Sequence, residues 1–147
     1  MIRPAVADDV PAILALIREL AAYEREPDAV QATEDDLRSA LFGDRPAVWA
    51  HVAELDGEVV GMAMWFVTFS TWTGRHGMHL EDFVVSERAR GTGLGRALFE
   101  ELQRICAERD YPRFEWRVLD WNDDAARFYR ARGAAPLPEW ISWRLAP

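Results

Sequence analysis

Six residues, Arg90-Gly91-Thr92-Gly93-Leu94-Gly95, stand between an apolar alternating run that ends at Val85 and an amphipathic run that begins at Leu94. Glycine has no Cβ, so the chain can turn tightly here and bring main-chain N–H groups close to a ligand. The helix expected from Leu94 onward adds positive potential at its N-terminus. Together these features make a cradle for phosphates. Two other cradles do not fit the spacing. A Walker loop needs Lys and then Ser or Thr after its last glycine, where Arg96 and Ala97 stand; a dinucleotide fingerprint needs G-x-G-x-x-G, whereas Gly91, Gly93 and Gly95 read G-x-G-x-G. The bland alternative is a glycine turn before a helix.

The elements that position this loop follow from periodicity. Ile2 to Val6 reads as a short strand, then Asp8 or Asp9 caps a helix with Pro11 in its first turn and Ile13, Leu14, Ile17, Leu20 and Ala21 on one face. Thr33 with Asp36 is a capping-box start for a second helix that ends near Gly43. Strands are expected at Trp49 to Leu55 and Val59 to Phe69 around an Asp56-Gly57 turn, at Met78 to Val85 after a loop from Ser70 to Gly77, at Phe114 to Leu119 and at Trp140 to Leu145. Asn122 or Asp123 caps a helix that contains Phe128 and Tyr129 and stops at Gly133. This order predicts an α/β domain, a mixed but mostly antiparallel twisted sheet flanked by about four helices, in one domain over residues 1–147.

Composition narrows the function. A net charge of −8 opposes nucleic acid as a partner and suits a cationic ligand. Every basic residue other than histidine is arginine, which excludes a catalytic lysine and a Schiff base. Cys106 is the single cysteine and falls on the apolar face of a helix, so a buried structural thiol is expected, with no intramolecular disulfide. His51, His76 and His79 do not form a metal-ligand set, and no metal is expected. The N-terminus lacks a signal-peptide run and no apolar stretch reaches spanning length, so a soluble cytoplasmic protein without membrane partners is expected.

The R-x-x-G-x-G loop resembles that of the GNAT acetyltransferase superfamily. Three further stretches, Ile17 to Glu24, Leu80 to Val85, and Trp121-Asn122 with Phe128-Tyr129 and Arg132-Gly133-Ala134, resemble its spermidine/spermine and thialysine acetyltransferase branch. The resemblance covers nearly the whole chain and implies acetyl-coenzyme A as co-substrate. Arg90, Gly91, Thr92, Gly93, Leu94, Gly95 and Arg96 would hold its pyrophosphate. The backbones of Phe83, Val84 and Val85 would pair with the pantetheine arm where that strand opens from its neighbour, and Asn122 would be both helix cap and coenzyme contact.

Acetyl transfer to an amine needs a neutral nitrogen, and an alkylamine of pKa ~10.4 is less than about one part in a thousand neutral at pH 7. A proton acceptor is therefore required, along with an acid for the departing thiolate. By resemblance the acceptor is Glu81, directly or through water, and the acid is Tyr129. Strand alternation sets Glu81 and Phe83 opposite to Asp82 and Val84, with Asp82 a structural partner for an arginine. Tyr23 and Glu24 match the family's substrate-contacting pair, and Trp72 is placed as an apolar wall. Arg25 and Arg117 add positive charge near the amine site, which makes a lysine-like amino acid at least as plausible a substrate as a bare polyamine. Alternatives are a protein N-terminal or lysine acetyltransferase and a non-catalytic acetyl-coenzyme A-binding module. A homodimer through the C-terminal strand is implied by the resemblance.

Overall fold

Alternating apolar runs pair into one open sheet, β1 (Ile2–Pro4), β2 (Trp49–Leu55), β3 (Glu58–Ser70), β4 (Arg75–Val85) and β5 (Phe114–Trp116), lying side by side in chain order. The first four strands are antiparallel neighbours, and β5 joins β4 in parallel. Asp56 and Gly57 close the β2–β3 hairpin at positive φ of 52° and 80°, as a two-residue turn between right-twisted strands requires. The computed structural model describes residues 1–147 and resolves two compact units, Met1–Arg117 and Val118–Pro147.

In the first unit, helices cover both faces of the sheet. α1 (Val10–Tyr23) and α2 (Glu34–Phe42) lay Val10, Ile13, Leu14, Leu37 and Leu41 against Val52, Met62, Met64 and Val84. The Thr33 hydroxyl accepts from Asp36 N and the Asp36 carboxylate accepts from Thr33 N, the reciprocal cap read in the sequence. Alternation turns Trp65, Met78 and Phe83 to the other face, where α3 (Leu94–Glu108) lies. Phe99, 2% exposed, packs edge-on against Phe83 and Trp116 and stacks with Phe114, with centroids 5.2–5.9 Å apart. Cys106 is buried with its Sγ 3.9 Å from Met78 Sδ, and burial pushes its thiol up to about 11, as befits an inert core residue.

The second unit holds α4 (Asp123–Arg130). Asn122 Oδ1 accepts from Ala125 N at 3.2 Å, and Gly133 at φ 88° ends the helix while Ala134 N reaches Tyr129 O.

Four expectations are corrected. β1 ends at Pro4 rather than Val6, because Val6 N donates to the Asp9 carboxylate, which also holds Arg3 and so leaves α1 without a side-chain cap. The loop expected from Ser70 to Gly77 is only a four-residue turn, since His76 and Gly77 pair with Phe69 and Thr68. Gly77 is not a turn residue: a Cβ there would lie 2.7 Å from Arg113 O, so it is small to let the chain entering β5 approach. The strand expected from Phe114 to Leu119 stops at Trp116. Trp140 to Leu145 is not a strand: Pro136 and Pro138 remove donors just before it, and its alternating apolar residues are exposed, Trp143 at 91%.

Candidate active site

The parallel ladder of β4 with β5 runs Met78↔Phe114, His79↔Glu115, Leu80↔Trp116 and goes no further. The next residue of β4 is irregular on its other side as well. Met64 stands opposite Asp82 and Trp65 opposite Leu80, so Glu81 is an extra residue, a β-bulge. One residue too many reverses the alternation. Leu80 shares parity with Met78 on the α3 side, but Asp82 falls with Val84 on the α1 side. The period-two expectation that set Glu81 with Phe83 and against Asp82 is therefore wrong. Glu81 turns to His79, with carboxylate and Nε2 3.7 Å apart, and is 45% exposed; His79 stacks on Phe66 at 4.7 Å. Burial holds the His79 imidazole below its ordinary pKa, while the opposing charges of Glu81 and Arg117 both reach it.

Asp82 is mostly buried and has neither a hydrogen bond nor an ion pair, so the expected arginine partner is absent. Desolvation first, then the negative charges of Glu81 and Glu24, push its carboxyl up to about 6. Glu24, at the C-terminus of α1, is itself pushed up by burial. Glu24, Glu81 and Asp82 are thus one acidic group in electrostatic contact.

The glycine loop begins after a 3-10 turn, Glu87–Ala89. Gly91 and Gly93 take φ of 79° and 85°, and a Cβ on either would meet nothing within 4 Å, so the space above the main chain is open. The Thr92 hydroxyl donates to Ala89 O at 2.6 Å and fixes the turn. Gly93 occupies the N-cap of α3, no side chain caps that helix, and the first bond into it is Ala97 N to Gly93 O. The amides of Gly95 and Arg96 are left pointing out of the helix end, where the macrodipole is positive. Arg96 is spoken for, its Nε donating to Glu100 at 2.7 Å.

Two contacts that sequence reasoning missed tie α1 to this loop. Glu19 accepts from Glu87 N at 2.9 Å, and Arg90 lies over the Tyr23 ring. Glu19 and Tyr23 are four apart on α1 and share a face, the only trace of this in the sequence. The signal for the bulge was the Glu81-Asp82 pair itself, two acidic residues inside an otherwise apolar strand.

Of the remaining expected residues, Trp72 lies away from the bulge. Trp72 is 78% exposed in the β3–β4 turn, six β3 residues beyond Met64, or about 20 Å along the strand. Arg117 follows the end of β5. Tyr129 and Asn122 lie in the second unit, Tyr129 with its ring 5.4 Å from that of Phe128. A cavity of about 400 Å³ lined by Trp49, His51, Trp65 and Arg109 shares no residue with bulge or cradle. No group of three His, Cys, Asp or Glu side chains could hold a metal ion.

Residues 12–134 match the family described as Acetyltransferase (GNAT) family. The chain is 38% identical over 151 residues to a thialysine N-epsilon-acetyltransferase of Bos taurus, covering 97% of this chain and 88% of that one. It is 36% identical to a spermidine/spermine N(1)-acetyltransferase-like protein 1 of Homo sapiens, over 98% of this chain and 22% of that longer one. An integron cassette protein from the mobile metagenome of V. cholerae superposes with a TM-score of 0.82 at 26% identity, over 100% of this chain and 92% of that one. With its open five-stranded sheet, glycine cradle and strand that parts from its neighbour, the chain belongs to the GNAT acetyltransferase family.

Proposed function

We propose that this N-acetyltransferase moves an acetyl group from acetyl-coenzyme A to the side-chain amine of a lysine-like amino acid, with a bare polyamine as the second reading. The observation that carries the proposal is a coincidence at Leu80 to Asp82. There the β5 ladder ends, β4 bulges, and two carboxyl groups open beside the released strand edge. Arg117 supports the amino acid over the polyamine. Its charge reaches His79, the partner of Glu81, and a guanidinium holds a carboxylate but repels a second ammonium group.

When bound, the coenzyme supplies a thioester, whose carbonyl carbon is open to an amine. The chain does the rest. Main-chain amides at Gly91 to Arg96 hold the pyrophosphate, and the backbones of Phe83, Val84 and Val85, beyond the end of the β5 ladder, receive the pantetheine arm. Glu24 and Glu81, with Tyr23 alongside, receive the ammonium group, and Glu81, being exposed, passes its proton to water. Tyr129 protonates the departing thiolate and Asn122 contacts the coenzyme, both assigned from their places in the family pattern. Residues 1–147 act as one catalytic domain, cytoplasmic and dimeric, with the exposed Trp140, Ile141 and Trp143 in the contact between copies.

The test is a coenzyme A-release assay on thialysine, lysine, ornithine, spermidine and an N-terminal peptide. Highest kcat/KM on the amino acids supports the first reading, spermidine alone the second. Turnover of the peptide alone would overturn both.

A further inference from the structure

We infer that Asp82, the second residue of the bulge, is the group that first takes the proton from the substrate ammonium, with Glu81 as its outlet to water. This rests on the reading above that the protein acetylates an amine. A regular strand continuing from Leu80 would send Asp82 to the α3 face, where Phe99 packs against Trp116. The bulge instead carries it to the α1 side, toward Glu24, and keeps it largely buried with no cation or donor of its own. Burying a carboxyl without a partner is unfavourable, and nothing in the packing requires an acid at that position. Opposite it in the ladder stands Met64, which is apolar.

Among the charged and titratable groups around it, its own strand supplies Glu81 and, through Glu81, His79; the C-terminal end of α1 supplies Glu24; beyond β5 Arg117 reaches His79. Burial first, then two negative neighbours, favours the protonated carboxyl and raises it to about 6, nearer neutrality than an ordinary carboxyl and suited to exchange a proton. Glu81 is half exposed and leans on His79, which suits a relay better than a first acceptor.

The step balances. The ammonium N–H bond breaks and its proton passes to an Asp82 oxygen. The freed lone pair forms the N–C bond to the thioester carbon, the C–S bond breaks with its electron pair on sulfur, that thiolate takes a proton from Tyr129, and the second proton lost by the nitrogen restores the Tyr129 phenol. Asp82 then returns its proton to water through Glu81.

The test is Asp82→Asn, of the same size, against wild type. Wild-type kcat/KM for the amine should rise with pH through about 6, with a carboxyl carbon of Asp82 titrating there by NMR. The variant should lose that limb and at least about 10²-fold in kcat, with unchanged affinity for acetyl-coenzyme A. A raised folded pKa also means that wild type is favoured while Asp82 is protonated and loses stability as pH climbs from about 4 through 6. Asp82→Asn should therefore melt higher than wild type at pH 8 and show little gain at pH 4. Retention of the limb by the variant, or Asp82 titrating near 4, overturns the assignment while leaving the acetyltransferase reading intact. If wild type acetylates no amine in the panel, both fall.

Discussion

The guanidinium of Arg90 lies 5.5 Å from the centre of the Tyr23 ring, joining the first residue of the glycine loop to the C-terminal end of α1. The Glu19–Glu87 bond one helical turn earlier makes this a two-point clamp. A cation over an exposed ring contributes about 0.5–1 kcal/mol. Tyr23→Ala should therefore weaken acetyl-coenzyme A binding about two- to fivefold, although Tyr23 lies on α1 and not in the glycine loop, and Tyr23→Phe should leave it near wild type. Calorimetry giving the same Kd for all three proteins would disprove the coupling.

Gly93 and Gly57 allow a controlled comparison. Both have positive φ, 85° and 80°, and neither would place a Cβ against any protein atom. Valine at either position incurs left-handed strain of at least about 1–2 kcal/mol, enough to lower Tm by several degrees. Only Gly93→Val should also cost more than tenfold in acetyl-coenzyme A affinity, because only there does the open space belong to the cradle. Equal coenzyme affinity in the two variants would show that the glycines serve the turn alone.

Tyr129→Phe removes a hydroxyl and keeps the ring beside Phe128. As the general acid, Tyr129 should be worth about 10² to 10⁴ in kcat, with the loss absent when the leaving thiol is replaced by a far more acidic one. Turnover above half the wild-type value with acetyl-coenzyme A would end the assignment.

Trp72 offers a test of substrate length. At about 20 Å from the bulge along β3 and β4, it is out of reach of a lysine-sized amine seated at Glu81. Trp72→Ala should leave kcat/KM for thialysine unchanged within twofold and lower it only for long polyamines. A large loss on thialysine would mean that the amine binds nearer the hairpin tip.

What the sequence revealed and what it hid have separate physical causes. Asp56-Gly57, the Thr33-Asp36 box and the Asn122 cap were legible because each is a local contract between neighbours, and all three formed as read. The glycine loop was legible because positive φ needs glycine. The bulge at Glu81 was not, since the Glu81-Asp82 pair marks an interruption of the apolar run but only the register with β3 shows which residue is the extra one. Gly77 read as a loop because a glycine kept small for a neighbouring carbonyl looks like a glycine kept flexible for a turn. Trp140 to Leu145 carries strand alternation, yet a strand forms only where an edge pairs with it.

The measurement closest to the central claim is the initial rate of coenzyme A release with thialysine as acceptor, with the acetylated product identified by mass. The account predicts a product heavier by one acetyl group on the side-chain nitrogen, formed one-for-one with coenzyme A, and a rate lost in Gly93→Val. Tight acetyl-coenzyme A binding with no transfer to thialysine, lysine, ornithine or spermidine would contradict it.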